Sequence, residues 1–242
     1  MSDTLLLGDA LELLKKIPSK SIDLVLTDPP YDIRKYSTGN IFLPGRKPLN
    51  NDIAEWDGAI PIDEFAKEFK RVLKPNGNIF VFSSYNLFGK WHEQLDKMFD
   101  TCQFMIWHKI NPPPRIYKNS FLNSCEMVIC AWNRGHTWNF SNQVEMHNFF
   151  ESKICMYPER LDHPTQKPVS IMRHIIKIAS KPNDLVLDCF AGTGTTGVAC
   201  QLLNRHYVLI ENNKLYYEIA KNRLSRTKAR LNFQDKVEGL RK

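Results

Sequence analysis

The stretch from Asp184 to Gly197, Asp-Leu-Val-Leu-Asp-Cys-Phe-Ala-Gly-Thr-Gly-Thr-Thr-Gly, constrains the fold more than any other part of the chain. Asp184 to Leu187 read as a buried strand that passes directly into Gly192-x-Gly194-x-x-Gly197 and a helix. Glycines in such a turn supply positive φ and let a ligand approach the backbone closely. A side chain at Gly194 is therefore expected to enter the ligand's space. The next strand, Tyr207 to Ile210, ends at Glu211, where a carboxylate is placed to bond ribose hydroxyls. Beyond Glu211 only one helix and a basic tail remain. An ordinary dinucleotide domain would begin at this motif, so here the sheet has to be completed by strands that come earlier in the chain.

Those strands are legible. Thr4 to Leu7 is a short apolar strand, closed by Gly8-Asp9; Ala10, Leu11, Leu13, Leu14 and Ile17 then lay a helical stripe that Pro18 stops. Asp9 is placed to cap that helix. Ile22 to Thr27 form a second strand. Ile62, Phe65, Ala66, Phe69, Val72 and Leu73 repeat at helical spacing. Pro75-Asn76-Gly77 reads as a turn into a strand over 78–82, followed by a helix through Trp91, Leu95 and Met98. Phe104 to Trp107 and Met127 to Trp132 read as an antiparallel pair. Ile171, Met172, Ile175, Ile176 and Ala179 mark a further helix. This rhythm predicts an α/β protein, and 242 residues with 43% apolar side chains suffice for one domain over 1–242. Two segments lack periodicity. Residues 32–57 are expected to be a mobile loop near the site, and 133–162 a recognition insert.

The second constraint is Asp28-Pro29-Pro30-Tyr31. Two prolines terminate the strand, fix φ near −65° and hold the neighbouring carbonyls stiffly. Asp28 is left at a strand's carboxyl end, where open α/β sheets bind ligands. A carboxylate, a carbonyl and a flat ring suit a planar molecule bearing an amino group, such as an exposed nucleobase. A rigid turn would use the same residues.

The glycine motif by itself admits both NAD and S-adenosylmethionine, since each carries an adenosine. Taken together in this order, Asp28-Pro29-Pro30-Tyr31, His163-Pro164-Thr165-Gln166-Lys167-Pro168 and Asp188-Cys189-Phe190-Ala191-Gly192-Thr193-Gly194-Thr195 resemble the β-class DNA amino-methyltransferases over nearly the whole chain. That resemblance implies a Rossmann-like, seven-stranded, mostly parallel sheet with an antiparallel last strand and circularly permuted motif order. It implies S-adenosylmethionine as cofactor and double-stranded DNA, with a base flipped out, as partner. The catalytic residues would be Asp28, Pro29, Pro30 and Tyr31. The cofactor would lie among Asp9, Ala10, His163, Thr165, Gln166, Lys167, Asp188, Phe190, Ala191, Gly192, Thr193, Gly194, Thr195, Thr196, Glu211 and Asn212. Within this set Asp9 would meet adenine, Glu211 ribose, and Thr165 and Lys167 the carboxylate. Lys35, Arg46, Lys47, Asn111, Pro112 and Arg115 would contact DNA. In this family Asp at position 28, in place of Ser, favours adenine over the amino group of cytosine, and no Pro-Cys dipeptide is present to supply a covalent nucleophile. A cognate restriction endonuclease and a homodimer are partners the resemblance leaves open.

Charge agrees with a polyanionic partner. The formal net charge is +7, and Lys214 to Lys242 hold nine basic side chains against three acids. This tail is expected to contact phosphates. Arg115, Asn133, Arg134, Asn139, Asn142 and Gln143 are expected to read base edges. The six cysteines lack metal-ligand spacing and read as reduced, and they predict no metal site. No apolar run approaches the ~18 residues of a membrane span, and the N-terminus lacks a basic-then-apolar signal, so a cytoplasmic protein is expected. Two rival readings are an NAD-dependent oxidoreductase and a nucleic-acid-binding module without activity.

Overall fold

Along β2 (Ile22–Thr27) every residue is buried. Val25 joins one apolar layer while Leu24 and Leu26 join the other, as a strand covered on both faces requires. β3 (Leu73–Ser83) repeats the pattern, with Ile79 and Val81 on one side and Phe80 and Phe82 on the other. The computed structural model describes residues 3–32, 59–114, 118, 120–161 and 163–239, the last five by backbone alone.

The other strands are β1 (Thr4–Leu7), β4 (Thr101–Lys109), β5 (Cys125–Trp132), β6 (Phe149–Ser152), β7 (Leu185–Asp188) and β8 (His206–Glu211). They form one eight-stranded sheet in the order β1-β8-β7-β2-β3-β5-β4-β6. All pairs are parallel except β3 with β5 and β5 with β4. The antiparallel strand is thus β5, fifth in this permuted chain. Helices α1 (Ala10–Leu14), α2 (Ile62–Val72) and α3 (Phe88–Asp96) cover one face, where Phe69 stacks on the fully buried Trp91 with ring centroids 6.1 Å apart. Helices α4 (Val169–Ala179), α5 (Thr195–Leu202) and α6 (Lys214–Gly239) cover the other. Four of the six cysteines are buried and all are free.

Two expectations need correction. The sheet has eight strands, because Phe149–Ser152, inside the presumed insert, adds a parallel edge to β4. Four residues at an edge are too short to show a period of two. Pro75-Asn76-Gly77 is not a turn between elements but an irregularity within β3, where register with β2 shifts between Ile22 and Leu24. It is pinned by Lys74 Nζ, which bonds Asp23 at 2.7 and 2.8 Å. Gly77 is required there, since a Cβ would lie 2.8 Å from the Asp23 carbonyl.

Because β7 and β2 are neighbours while the strands that follow them, β8 and β3, lie on opposite sides, the sheet has a switch point between β7 and β2. Crevices form at the carboxyl ends of such strands.

Candidate active site

Four strands reach that crevice and each is followed or ended by an acid: Asp9 after β1, Asp28 after β2, Asp188 closing β7 and Glu211 closing β8. All four line a cavity of about 600 Å³, together with Phe190, His163 and Tyr31.

Asp28 anchors the densest polar cluster. Pro29 and Pro30 are buried behind it, and the Tyr31 carbonyl is held by Ser84 Oγ at 3.2 Å and Asn86 Nδ2 at 3.4 Å. The Tyr31 hydroxyl is 2.8 Å from Asp28 Oδ1 and 3.0 Å from Glu126 Oε2. Lys167 Nζ donates to Asp28 Oδ2 at 2.5 Å and is 3.2 Å from Glu126 Oε2. Lys109 Nζ reaches Glu126 Oε1 at 2.9 Å. Two carboxylates therefore face two ammonium groups. Burial raises the Asp28 pKa, opposed by Lys167 and reinforced by Glu126. Burial would raise Glu126 too, but Lys167 and Lys109 outweigh it and hold that carboxyl at about 2. Lys167 is pushed up, because Asp28 and Glu126 overcome the effect of its burial. The Tyr31 hydroxyl is pushed up by burial and by both carboxylates.

Asp188 organises the glycine turn. Its Oδ1 accepts from Thr27 Oγ1 at 2.8 Å and from the Phe190 N–H at 3.1 Å, and its Oδ2 accepts from Thr196 Oγ1 at 2.5 Å. Burial pushes its carboxyl up to about 6. Glu211 accepts from the N–H of Gly192 at 2.7 Å and of Asn213 at 2.8 Å. Arg223 of α6 ties this turn down by bonding Thr195 Oγ1 at 3.0 Å and pairing with Glu159 at 3.6 Å.

Of the residues expected around the cofactor, all but Gly194 line the cavity, as do the four of Asp28 to Tyr31. Gly194 points elsewhere. With φ +77°, its Cβ would meet Ala220 Cβ at 3.1 Å, so the glycine is needed for α6 rather than for a ligand. Gly197 is likewise required by packing, with a Cβ 2.7 Å from both Leu209 and Leu224, whereas Gly192 faces His163. Asp9 also caps α1, accepting from the Glu12 N–H at 2.9 Å. Lys167, expected at the cofactor's carboxylate, turns instead to Asp28 and Glu126. Asn111 does not line the cavity, and its Oδ1 accepts from the Ile154 N–H. Pro112 does not line the cavity either, but the adjacent Pro113 does. Lys35, Arg46, Lys47, Arg115 and nearly all of 32–57 lie outside the described residues.

The residues expected to read bases from the start of 133–162 lie at the far end of the sheet. Thr137 bonds Asn76 and Asn78 beside the beginning of β3, and Asn139 Nδ2 bonds the carbonyls of Lys177 and Ser180 below α4. β6 then brings the chain back toward the crevice. Glu126 and Arg223 carry no local signal in the sequence. Each is one charge in an otherwise ordinary strand or basic helix, and only tertiary structure gives them partners.

The molecule can be set beside known proteins. Residues 22–222 match the N6/N4 DNA methylase family model. The chain is 33% identical over 250 residues to the type II methyltransferase M.HinfI of Haemophilus influenzae, spanning 93% of this chain and 69% of that one. It is 32% identical over 239 residues to the type II methyltransferase M2.LlaDCHI of Lactococcus lactis subsp. cremoris, spanning 90% and 88%. The crystal structure of the M1.HpyAVI–SAM complex superposes with a TM-score of 0.67 at 31% identity, covering 91% of this chain and 99% of the other. With an acid at the end of each of four strands around one crevice, and a match covering most of its length, the chain belongs to the N6/N4 DNA methylase family.

Proposed function

We propose that this protein transfers a methyl group from S-adenosylmethionine to the exocyclic amino group of adenine in double-stranded DNA. The observation that carries this reading is that one cavity holds both Glu211 with the Asp188-organised glycine turn and the proline-stiffened Asp28. The residues fit the cofactor: the buried Glu211 carboxylate, the Phe190 ring and the His163 to Lys167 segment share one space large enough for an adenosine and an amino-acid tail. When bound, S-adenosylmethionine supplies an electrophilic methyl group on a sulfonium.

The chain's own residues supply the rest. Adenine's amino nitrogen is a poor nucleophile because its lone pair is delocalised into the ring. Asp28 would accept one N–H and the Pro29 carbonyl the other, drawing electron density back to nitrogen. Burial raises the proton affinity of Asp28, which fits it to take the proton that nitrogen sheds. Extruding the base costs a few kcal/mol, offset by stacking on Tyr31 and by these hydrogen bonds. Residues 110–114, 120–124 and 149–158, which neighbour the crevice through Pro113 and β6, are the candidates to meet DNA, with Lys35, Arg46, Lys47 and Arg115 as further candidates and exposed basic side chains of α6 as phosphate contacts. Since its relatives are type II methyltransferases, a cognate restriction endonuclease is the partner to seek.

Asp28→Ala should abolish methyl transfer while leaving S-adenosylmethionine affinity, read by calorimetry, within about tenfold. Loss of cofactor binding together with activity would make Asp28 a cofactor or folding residue. Modification-sensitive sequencing of DNA from cells expressing the chain identifies the base and the site.

A further inference from the structure

The Tyr31 hydroxyl carries one hydrogen yet stands within hydrogen-bond distance of two carboxylates, Asp28 at 2.8 Å and Glu126 at 3.0 Å. It can donate to only one of them at a time. Lys167 shows the same division, touching Asp28 at 2.5 Å and Glu126 at 3.2 Å. Both donors lie closer to Asp28. An ammonium group on a carboxylate withdraws charge from it, so an Asp28 held this way is a weakened acceptor for an amino N–H. The two donors need a second acceptor if Asp28 is to be released, and Glu126 is that acceptor. It is anchored from the other side by Lys109 at 2.9 Å, and both donors could reach it by a movement smaller than a bond length.

We propose that Glu126, on β5, is a positioning residue that takes the Tyr31 hydrogen and the Lys167 ammonium from Asp28 as the acceptor base enters. Asp28 is thereby free with full charge, and the buried cluster of two acids and two ammonium groups stays neutral until Asp28 takes the proton that the amino nitrogen sheds. Glu126 touches neither base nor cofactor in this scheme and acts only through Tyr31 and Lys167. The inference rests on the reading of Asp28 as the acceptor for the amino group.

The test separates charge balance from donor transfer. Glu126→Gln should lower kcat at saturating DNA and S-adenosylmethionine by about 10- to 100-fold, with both KM values within about threefold. Adding Lys109→Met or Lys167→Met restores neutrality equally, but only the second removes the ammonium from Asp28. The Glu126→Gln/Lys167→Met protein should therefore be at least about tenfold faster than Glu126→Gln/Lys109→Met, at saturating cofactor and with calorimetric affinity recorded for each. Equal rates in the two double variants, or a single variant as fast as the parent, would overturn the role of Glu126 while leaving the reaction itself in place. A parent chain that methylates no amino group in DNA would overturn the reaction, and this role with it.

Discussion

Asp188 shows how a single residue can carry a functional motif and a pH dependence together. It ends a buried strand, and its two oxygens accept three hydrogen bonds that set the start of the glycine turn. Its folded pKa of about 6 stands above the unfolded value, so the folded state binds more protons between pH ~4 and ~6 and stability attributable to this group falls as pH rises through that window. Asp188→Asn should remove that dependence. Compared with the parent, the variant's unfolding free energy should improve relatively between pH ~4 and ~6, by about 1–3 kcal/mol. A constant difference across that range would mean the carboxyl is ionised throughout. The sequence made Asp188, Glu211 and Asp28 visible because each closes an apolar run, which is a local signal. Glu126 gave none, because what distinguishes it is the arrival of Lys167 and Tyr31 from 41 and 95 positions away along the chain.

At the scale of elements, the turn from β7 into α5 is shaped by what packs behind it as much as by what binds before it. Gly194 combines φ +77° with a close approach to α6, so Gly194→Ala should destabilise the fold by about 1–3 kcal/mol through backbone strain and overpacking. S-adenosylmethionine affinity of the folded protein should stay within about threefold, because Gly192 and Thr193, not Gly194, face the cavity. Calorimetric binding beside a thermal melt checks both halves. The glycine spacing was readable in the sequence; which side of the turn needed each glycine was not, since that depends on where α6 comes to lie. The same holds for β6. Its four residues become a strand only because β4 presents an open edge.

The whole molecule has a working end and a supporting end. Thr137 and Asn139 tie the first part of 133–162 to the foot of β3 and α4, away from the crevice. Asn139→Ala should cost about 1 kcal/mol, since it removes the side-chain donor to the Lys177 carbonyl and one of two donors to the Ser180 carbonyl, which keeps Arg205, and sequencing should show the methylated site unchanged. An altered site would put this end on the DNA. Connectivity follows a different logic from geometry. β1, the first strand, lies beside β8, the last, and Asp3 meets both His206 at 3.1 Å and Lys228 of α6 at 3.8 Å. The first strand is thus a neighbour of both the last strand and the middle of α6, and no strand pairing depends on their being separate in the chain. Joined by a flexible linker and reopened within the exposed stretch near Val144, the same sheet would be threaded with the glycine turn ahead of Asp28. The order of the two halves is a property of where the thread is cut, and the crevice between them is indifferent to it.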